Sequence, residues 1–185
     1  MTTEVLESTK QDMEKTVAAL RKDLSHIRTG RASTALLENI TIDYYGTRTP
    51  VNQVATLSVP DASLIVVQPF DKSLIGAIEK AIKSSDLGLN PLNDGKLIRV
   101  PIPALTEERR KDLVKHVKKL AEDYRVSVRS HRRDSLEMVK ELEKDKEITE
   151  DDKRHAAEKI EHLTKEYVEK VDQVLKSKED EIMAV

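Results

Sequence analysis

Hydrophobic residues near the start of the chain recur three, four or seven positions apart. They are Leu6, Met13, Val17, Leu20, Leu24 and Ile27. Polar residues fill most of the positions between them, so the spacing places the hydrophobic side chains along one side of an α-helix. The pattern predicts an amphipathic first helix that buries one narrow face.

The same pattern returns twice after Thr106. In the first repeat the hydrophobic positions are Leu113, Val117, Leu120, Tyr124, Val128, Met138 and Leu142. A helix that is capped by the Thr106 hydroxyl and ends near Asp145 would be roughly 60 Å long. Thr149 and Asp152 then predict the start of a third helix. Its inward positions are Ala156, Ile160, Leu163, Tyr167, Val171 and Val174. Three narrow faces, the last two joined by a short connection, predict an elongated antiparallel three-helix bundle.

Helix-breaking residues divide the chain into regions. All six prolines and all five glycines lie between Gly30 and Pro103, and these are the most costly residues in a helix interior. Alternating or apolar runs at 40–44, 55–59, 64–67 and 98–102 predict strands, and Asp71 predicts the cap of a short helix. We therefore expect an α+β protein, in which a small α/β domain (30–105) is inserted into a bundle formed by residues 1–29 and 106–185.

Two connections join these predicted domains, near residues 28–31 and 100–105. The candidate hinge residues are Thr29, Gly30, Pro101, Ile102 and Pro103. Glycine permits a sharp change of backbone direction, whereas the two prolines make the return segment extended and stiff. A fixed corner with a packed interface and a mobile hinge both fit this pattern.

Composition narrows the possible functions. The chain has 185 residues, of which 36% are charged and 38% are hydrophobic, and it contains no cysteine. Cysteine-ligated metal centres and thiol catalysis are therefore excluded. No apolar run is long enough to span a bilayer, and Glu4 and Glu7 are atypical of a secretion signal, so we expect a soluble cytoplasmic protein.

The sequence also offers few candidate catalytic groups. Gly95-Lys96 lacks the rest of a phosphate-binding loop. His155, Glu158 and His162 share a helix face, but that face is polar and supplies too few converging ligands for a metal. We expect a protein that is not an enzyme and that uses no metal, cofactor or small-molecule substrate.

Charge is unevenly distributed along the chain despite a net charge of −2. Residues 106–133 hold ten basic and five acidic residues, whereas residues 134–185 hold ten basic and seventeen acidic residues. At 100° per residue, the basic residues that fall within about 100° of arc on the second helix are Arg110, Lys111, Lys118, Arg125, Arg129 and Arg132. Two interpretations stay open. The basic residues form a solvated face whose charges pair with acids of the third helix, or they form a surface that binds an anionic partner. The second is supported by the few local acids at helical spacing from the arginines. A rigid basic rod without aromatic platforms fits folded RNA better than duplex DNA or single strands.

Several segments resemble the bacterial ribosome recycling factors. They are residues 27–32 (IRTGRA), 44–46 (YYG), 85–91 (SDLGLNP), 98–103 (IRVPIP), 105–110 (LTEERR), 128–129 (VR) and 132–134 (RRD). The resemblance implies an L-shaped molecule that enters the post-termination ribosome, holds large-subunit RNA through its bundle and acts with elongation factor G to separate the subunits. The GTP in this process is the partner's.

The resemblance also implies which residues contact RNA. They are Arg28, Arg31, Arg110, Arg125, Arg129, Arg132 and Arg133. The chain departs from the family pattern at Ser130-His131 and at Thr34, where many members have a proline. His131 falls near the apolar face, so we expect either looser packing there or a polar partner for the histidine. We expect a monomer. The alternatives are a coiled-coil adaptor that pairs its helices between chains and a general RNA chaperone.

Overall fold

A computed structural model describes residues 1–184 of the chain. Its helices are α1 (Thr2–Ser25), α2 (Val51–Val54), α3 (Ile75–Lys83), α4 (Glu107–Lys144) and α5 (Glu150–Met183). Its strands are β1 (Thr41–Tyr44), β2 (Thr47–Pro50), β3 (Ala55–Asp61), β4 (Leu64–Pro69), β5 (Leu92–Asn93) and β6 (Ile98–Pro101). The chain forms two compact units: a helical unit, made of Met1–Leu24 and the chain from Lys111 onward, and a small unit, Ser25–Arg110.

In the helical unit, α4 runs antiparallel to both other long helices. Thr9, early in α1, contacts Ser135, late in α4, whereas Asp23 at the far end of α1 contacts Tyr124. The ion pairs between α4 and α5 are Lys118–Glu179, Arg125–Asp172, Arg132–Glu161 and Glu143–Lys153. The order of these pairs reverses along α5, which confirms the predicted antiparallel bundle. None of the helices in residues 1–184 combines the length and hydropathy that a bilayer span requires.

The core of the helical unit is a narrow apolar stripe from each helix. Its buried members include Met13, Val17 and Leu20 of α1, Val117, Val128 and Val139 of α4, and Ile160, Tyr167 and Val171 of α5. The predicted inward position of Met138 is wrong, since this side chain is exposed and Val139 is buried instead. At 100° per residue, Val139 lies about 20° from the direction of Val128 whereas Met138 lies about 80° away. Ile27, predicted on the face of the first helix, follows the end of α1.

Polar groups cross the core between α1 and α4. The hydroxyls of Thr9 and Ser135, both buried, hydrogen-bond to each other. A second contact lies farther along α1 and one turn earlier on α4, where Thr16 Oγ1 lies 3.1 Å from His131 Nε2. Of the two alternatives at His131, the structure shows the polar partner. We call these four residues the polar seam.

Hydroxyl and carboxylate side chains cap α4 and α5 as predicted. Thr106 Oγ1 accepts the Arg109 N–H at 3.2 Å before α4. Thr149 and Asp152 form a reciprocal capping box at α5: the Thr149 hydroxyl oxygen accepts the Asp152 N–H at 3.1 Å, and Asp152 Oδ2 accepts the Thr149 N–H at 3.0 Å. These contacts satisfy backbone donors that a helix start leaves unpaired.

The small unit consists of a β1–β2 hairpin and an antiparallel four-stranded sheet in the order β3-β4-β6-β5, both packed with α3. Its core includes Leu37, Val51, Ile65, Val67, Ile78, Ile82, Ile98 and Val100. The strands predicted from 40–44, 55–59, 64–67 and 98–102 are present, and Asp71 Oδ1 accepts the Ser73 N–H at 2.9 Å before α3. Strands β2 and β5 were not predicted, because their side chains are largely exposed and show no apolar alternation.

Both connections to the small unit are hydrogen-bonded at the turn between β3 and β4. The Ala32 N–H donates to the Ala62 carbonyl and the Ile102 N–H donates to the Ser63 carbonyl, each at 2.7 Å. Gly30 has a φ of +79°, and a Cβ there would lie 3.4 Å from Leu105 Cγ, so this position needs glycine. The unit boundaries at Ser25 and Arg110 lie outside the predicted domain limits of 30 and 105.

Candidate nucleic-acid interface

The seven arginines implied as RNA contacts divide between the two units. Four of them, which we call the arginine row, lie on α4 in the helical unit: Arg125, Arg129, Arg132 and Arg133. The other three belong to the small unit, where Arg31 is exposed and Arg28 and Arg110 are half-buried. Because α4 is continuous, the helical repeat places the row within about 100° of arc.

Arg125 is the most enclosed member of the row. Its Nε–H donates to Asp172 Oδ1 of α5 at 2.8 Å, and its Nη2 lies 2.6 Å from the same oxygen. Its Nη1 donates to Glu122 Oε2 at 2.8 Å. Only 19% of the side chain is exposed. Arg125 therefore ties α4 to α5.

Glu122 connects Arg125 to the next member of the row. Its Oε2 accepts from Arg125, and its Oε1 accepts from Arg129 Nη1 at 3.1 Å. Hydrogen bonds from Arg125 and then Arg129 hold the pKa of Glu122 below its usual value. Since both bonds favour the ionised carboxylate, Glu122 carries its negative charge at neutral pH. The Arg129 side chain nevertheless stays 46% exposed.

Arg132 and Arg133 are held more loosely. Arg132 Nη1 lies 3.6 Å from Glu161 Oε2 of α5, and its buried Nε has no hydrogen-bond partner among residues 1–184. Arg133 is exposed. An arginine with one long ion pair and an unsatisfied buried donor loses little when its side chain turns toward an external anion.

The expectation of few local acids at helical spacing missed Glu122, and acids of the third helix also pair with the row, as the first of the two interpretations predicted. Glu122 lies three and seven positions before Arg125 and Arg129, a spacing that places side chains on the same side of a helix and could have revealed the contact. Asp172 and Glu161 come from α5. Their pairing depends on the alignment of two distant segments, which the sequence alone does not specify.

This arrangement is suited to binding phosphate groups. Arginine presents a planar guanidinium that matches phosphate oxygens in pairs, and Arg129 and Arg132 remain partly exposed. Within residues 1–184, no three His, Cys, Asp or Glu side chains are grouped so that they could hold a metal ion. The histidines of the polar face of α5, His155 and His162, are exposed.

Comparison with known proteins identifies the family. The sequence model described as "Ribosome recycling factor" matches residues 20–183. The chain belongs to the ribosome recycling factor family. The ribosome-recycling factor of Bacillus velezensis is 54% identical over 185 residues, and that of Heliobacterium modesticaldum is 55% identical over 185 residues, with all of each chain covered. The resemblance drawn from the sequence is confirmed, and membership gives the chain the ribosome recycling role of this family.

Solved structures of ribosome recycling factors share the fold. A solution structure of the ribosome recycling factor has a TM-score of 0.81 and 42% identity, covering 100% of this chain and 98% of that one. A second structure has a TM-score of 0.69 and 43% identity, with both chains covered completely. It is described as models for the T. thermophilus ribosome recycling factor and the E. coli elongation factor G bound to the E. coli post-termination complex. The predicted α+β class, a long helical bundle with a small sheet domain, is confirmed.

Proposed function

We propose that the chain binds the post-termination ribosome in the cytoplasm and, with elongation factor G, splits it into subunits, so that mRNA and tRNA are released for another round of translation. The support is membership of the ribosome recycling factor family together with the similar structure described on a post-termination complex with elongation factor G. The chain itself acts without catalysis and without a cofactor, and the GTPase partner supplies the GTP hydrolysis.

The observation that carries the binding step is the arginine row on a 38-residue helix. A row of guanidinium groups on a stiff helix can contact the phosphates of folded large-subunit RNA, and such contacts fix position rather than read sequence. Arg129, Arg132 and Arg133 are the exposed or loosely held members and form the centre of the proposed contact. Arg28, Arg31 and Arg110 are proposed as RNA contacts of the small unit itself.

The two connections form the second part of the proposed mechanism. A force applied to the small unit by the GTPase is transmitted to the RNA-bound helical unit through residues 28–31 and 100–105, where Thr29, Gly30, Pro101, Ile102 and Pro103 set the backbone path. The hydrogen bonds of Ala32 and Ile102 to the β3–β4 turn support this role, since both connections are anchored within the small unit. Such two-unit motions are a common form of conformational coupling.

Binding to purified large ribosomal subunits tests the RNA contact. Arg132→Ala is expected to weaken binding by about 1–3 kcal/mol, the range of a charge-assisted contact, because it removes one phosphate partner. The matched control is Arg154→Ala, which removes an exposed arginine of α5 whose ion pair is to Asp151 within the same helix. The affinity of the wild-type protein should fall as salt rises, with a slope reduced by about 1 in the Arg132 variant. Equal binding of the two variants at every salt concentration would remove the row from the mechanism.

A subunit-splitting assay tests the function as a whole. Light scattering of post-termination ribosomes should report dissociation only when the protein, elongation factor G and GTP are all present. A protein that dissociates ribosomes without the GTPase, or that binds free RNA as well as it binds ribosomes, would instead fit a general RNA chaperone.

A further inference from the structure

Arg125 differs from the rest of the arginine row in what its guanidinium contacts. Each of its three nitrogens lies within 2.8 Å of a carboxylate oxygen, from Asp172 or Glu122, and its side chain is 19% exposed. A phosphate that approached Arg125 would have to replace existing charge-assisted hydrogen bonds of similar strength. Arg125 is therefore poorly placed to gain from direct contact with RNA.

Glu122 links the restrained Arg125 to Arg129. One carboxylate oxygen of Glu122 accepts from Arg125, and the other accepts from Arg129. The carboxylate is thus attached to a group that is itself anchored on α5 through Asp172. The contacts run in sequence from α5 to Arg125, to Glu122 and to Arg129.

We infer that Glu122 is a positioning residue for ribosome binding: it holds the Arg129 guanidinium in a restricted set of conformations from which it engages an RNA phosphate, and Arg125 with Asp172 anchors it. This inference rests on the proposed function of the arginine row. Its physical basis is conformational entropy, since a long side chain that is already restrained loses less freedom when it binds.

The charge of Glu122 acts in the opposite direction. A carboxylate beside an anionic ligand repels it, so simple electrostatics predicts that neutralising Glu122 strengthens RNA binding. Positioning predicts that neutralising Glu122 weakens RNA binding. The sign of the change in affinity therefore decides between the two effects.

The experiment compares Glu122→Gln with Asp123→Asn in binding to purified large ribosomal subunits at low salt. Both changes remove one negative charge at nearly the same level of α4, and Asp123 is exposed. Glutamine retains the size of Glu122 but replaces one carboxylate oxygen with an NH2 donor, so the two arginines no longer each have an acceptor oxygen of their own. We expect Glu122→Gln to raise the Kd about threefold to tenfold, the effect of losing one restrained charge-assisted contact, and Asp123→Asn to leave it unchanged or lower it.

A double-mutant cycle with Arg129→Gln separates positioning from a general structural effect. If Glu122 acts through Arg129, then Glu122→Gln should raise the Kd by less than about twofold in the Arg129→Gln background. An equal loss in both backgrounds, or Glu122→Gln binding as tightly as Asp123→Asn, overturns the inference. Thermal unfolding of each variant, followed by circular dichroism, shows that the bundle is intact.

The outcomes distinguish this inference from the proposed function. If the wild-type protein does not bind large subunits, or if Arg129→Gln binds as well as wild type, the proposed role of the row fails. If wild type binds and Arg129→Gln weakens binding while Glu122→Gln does not, only the positioning role of Glu122 fails.

Discussion

Tyr45 is an unusual residue for its place in the fold. It lies with Gly46 in the two-residue turn between β1 and β2, and both residues have a positive φ, +48° and +80°. Turns of this kind favour Asn-Gly, since asparagine tolerates the left-handed region better than a bulky side chain does. The Tyr45 residue is 88% exposed, and its ring contacts the edge of Tyr44. The backbone strain at this residue is therefore offset by little packing.

Replacing Tyr45 with asparagine should stabilise the protein. Relief of the left-handed strain outweighs loss of the Tyr44 contact, so Tyr45→Asn is expected to raise the free energy of unfolding by about 0.5 to 1 kcal/mol, measured by urea denaturation. Thr47→Asn is the matched control, because Thr47 is exposed in the same hairpin but lies in an extended strand. Similar gains in both variants would contradict a cause that lies in the turn.

The long helices are joined by hydroxyl groups as well as by apolar packing. Tyr124 of α4 donates its phenolic hydrogen to Asp23 of α1, and Tyr167 of α5 donates to Glu14 of α1 at 2.6 Å. Burial, together with the bond to Asp23, raises the pKa of Tyr124 to about 12. The contact between α1 and α4 therefore depends on a neutral phenol.

The sign of this pKa shift sets a pH dependence for the bundle. Tyr124 keeps its proton longer in the folded chain than in the unfolded one, where the usual value is 10.0. Its contribution to stability is therefore complete below pH 10 and is lost as the pH rises toward 12. Tyr124→Phe should be less stable than wild type at pH 8, and the difference should narrow by pH 11, as measured by urea unfolding at both values. A difference that is constant with pH would show that the hydroxyl does not titrate in this way.

Sequence periodicity was sufficient to predict where the long helices lie, but not to predict the burial of every side chain on them. Thr106 and Thr149 mark helix starts, and the absence of proline and glycine outside residues 30–103 marks how far the helices extend. Met138 was misplaced because a buried polar residue, Ser135, continues the stripe where a hydrophobic residue was sought. Strands β2 and β5 pair through their backbones with largely exposed side chains, and this leaves no hydrophobic pattern to detect.

For the candidate site, the sequence located the arginines but not their partners. Arg125, Arg129 and Arg132 follow from helical spacing, whereas Asp172 and Glu161 approach only after α5 has packed in a particular register. The enclosure of Arg125, and hence its difference from Arg129, is a property of the packed helices.

The hydrophobic faces of the three long helices pack against one another within a single chain. Residues such as Met13, Val117 and Ile160 are completely buried within one chain. We therefore expect sedimentation equilibrium to give a mass of 21.0 kDa that does not change with concentration. A concentration-dependent dimer would favour the coiled-coil adaptor, in which these faces pair between chains.

The polar seam has a consequence for the mechanics of the helical unit. If α1 slid by one turn, about 5.4 Å, along α4, the Thr9 and Ser135 hydroxyls would separate, and each would keep only its hydrogen bond to a carbonyl of its own helix. The mutual hydrogen bond therefore favours the observed alignment of α1 with α4 over one shifted by a turn. Any change that removes this bond, such as Ser135→Ala, should therefore make the register of the two helices less strictly defined.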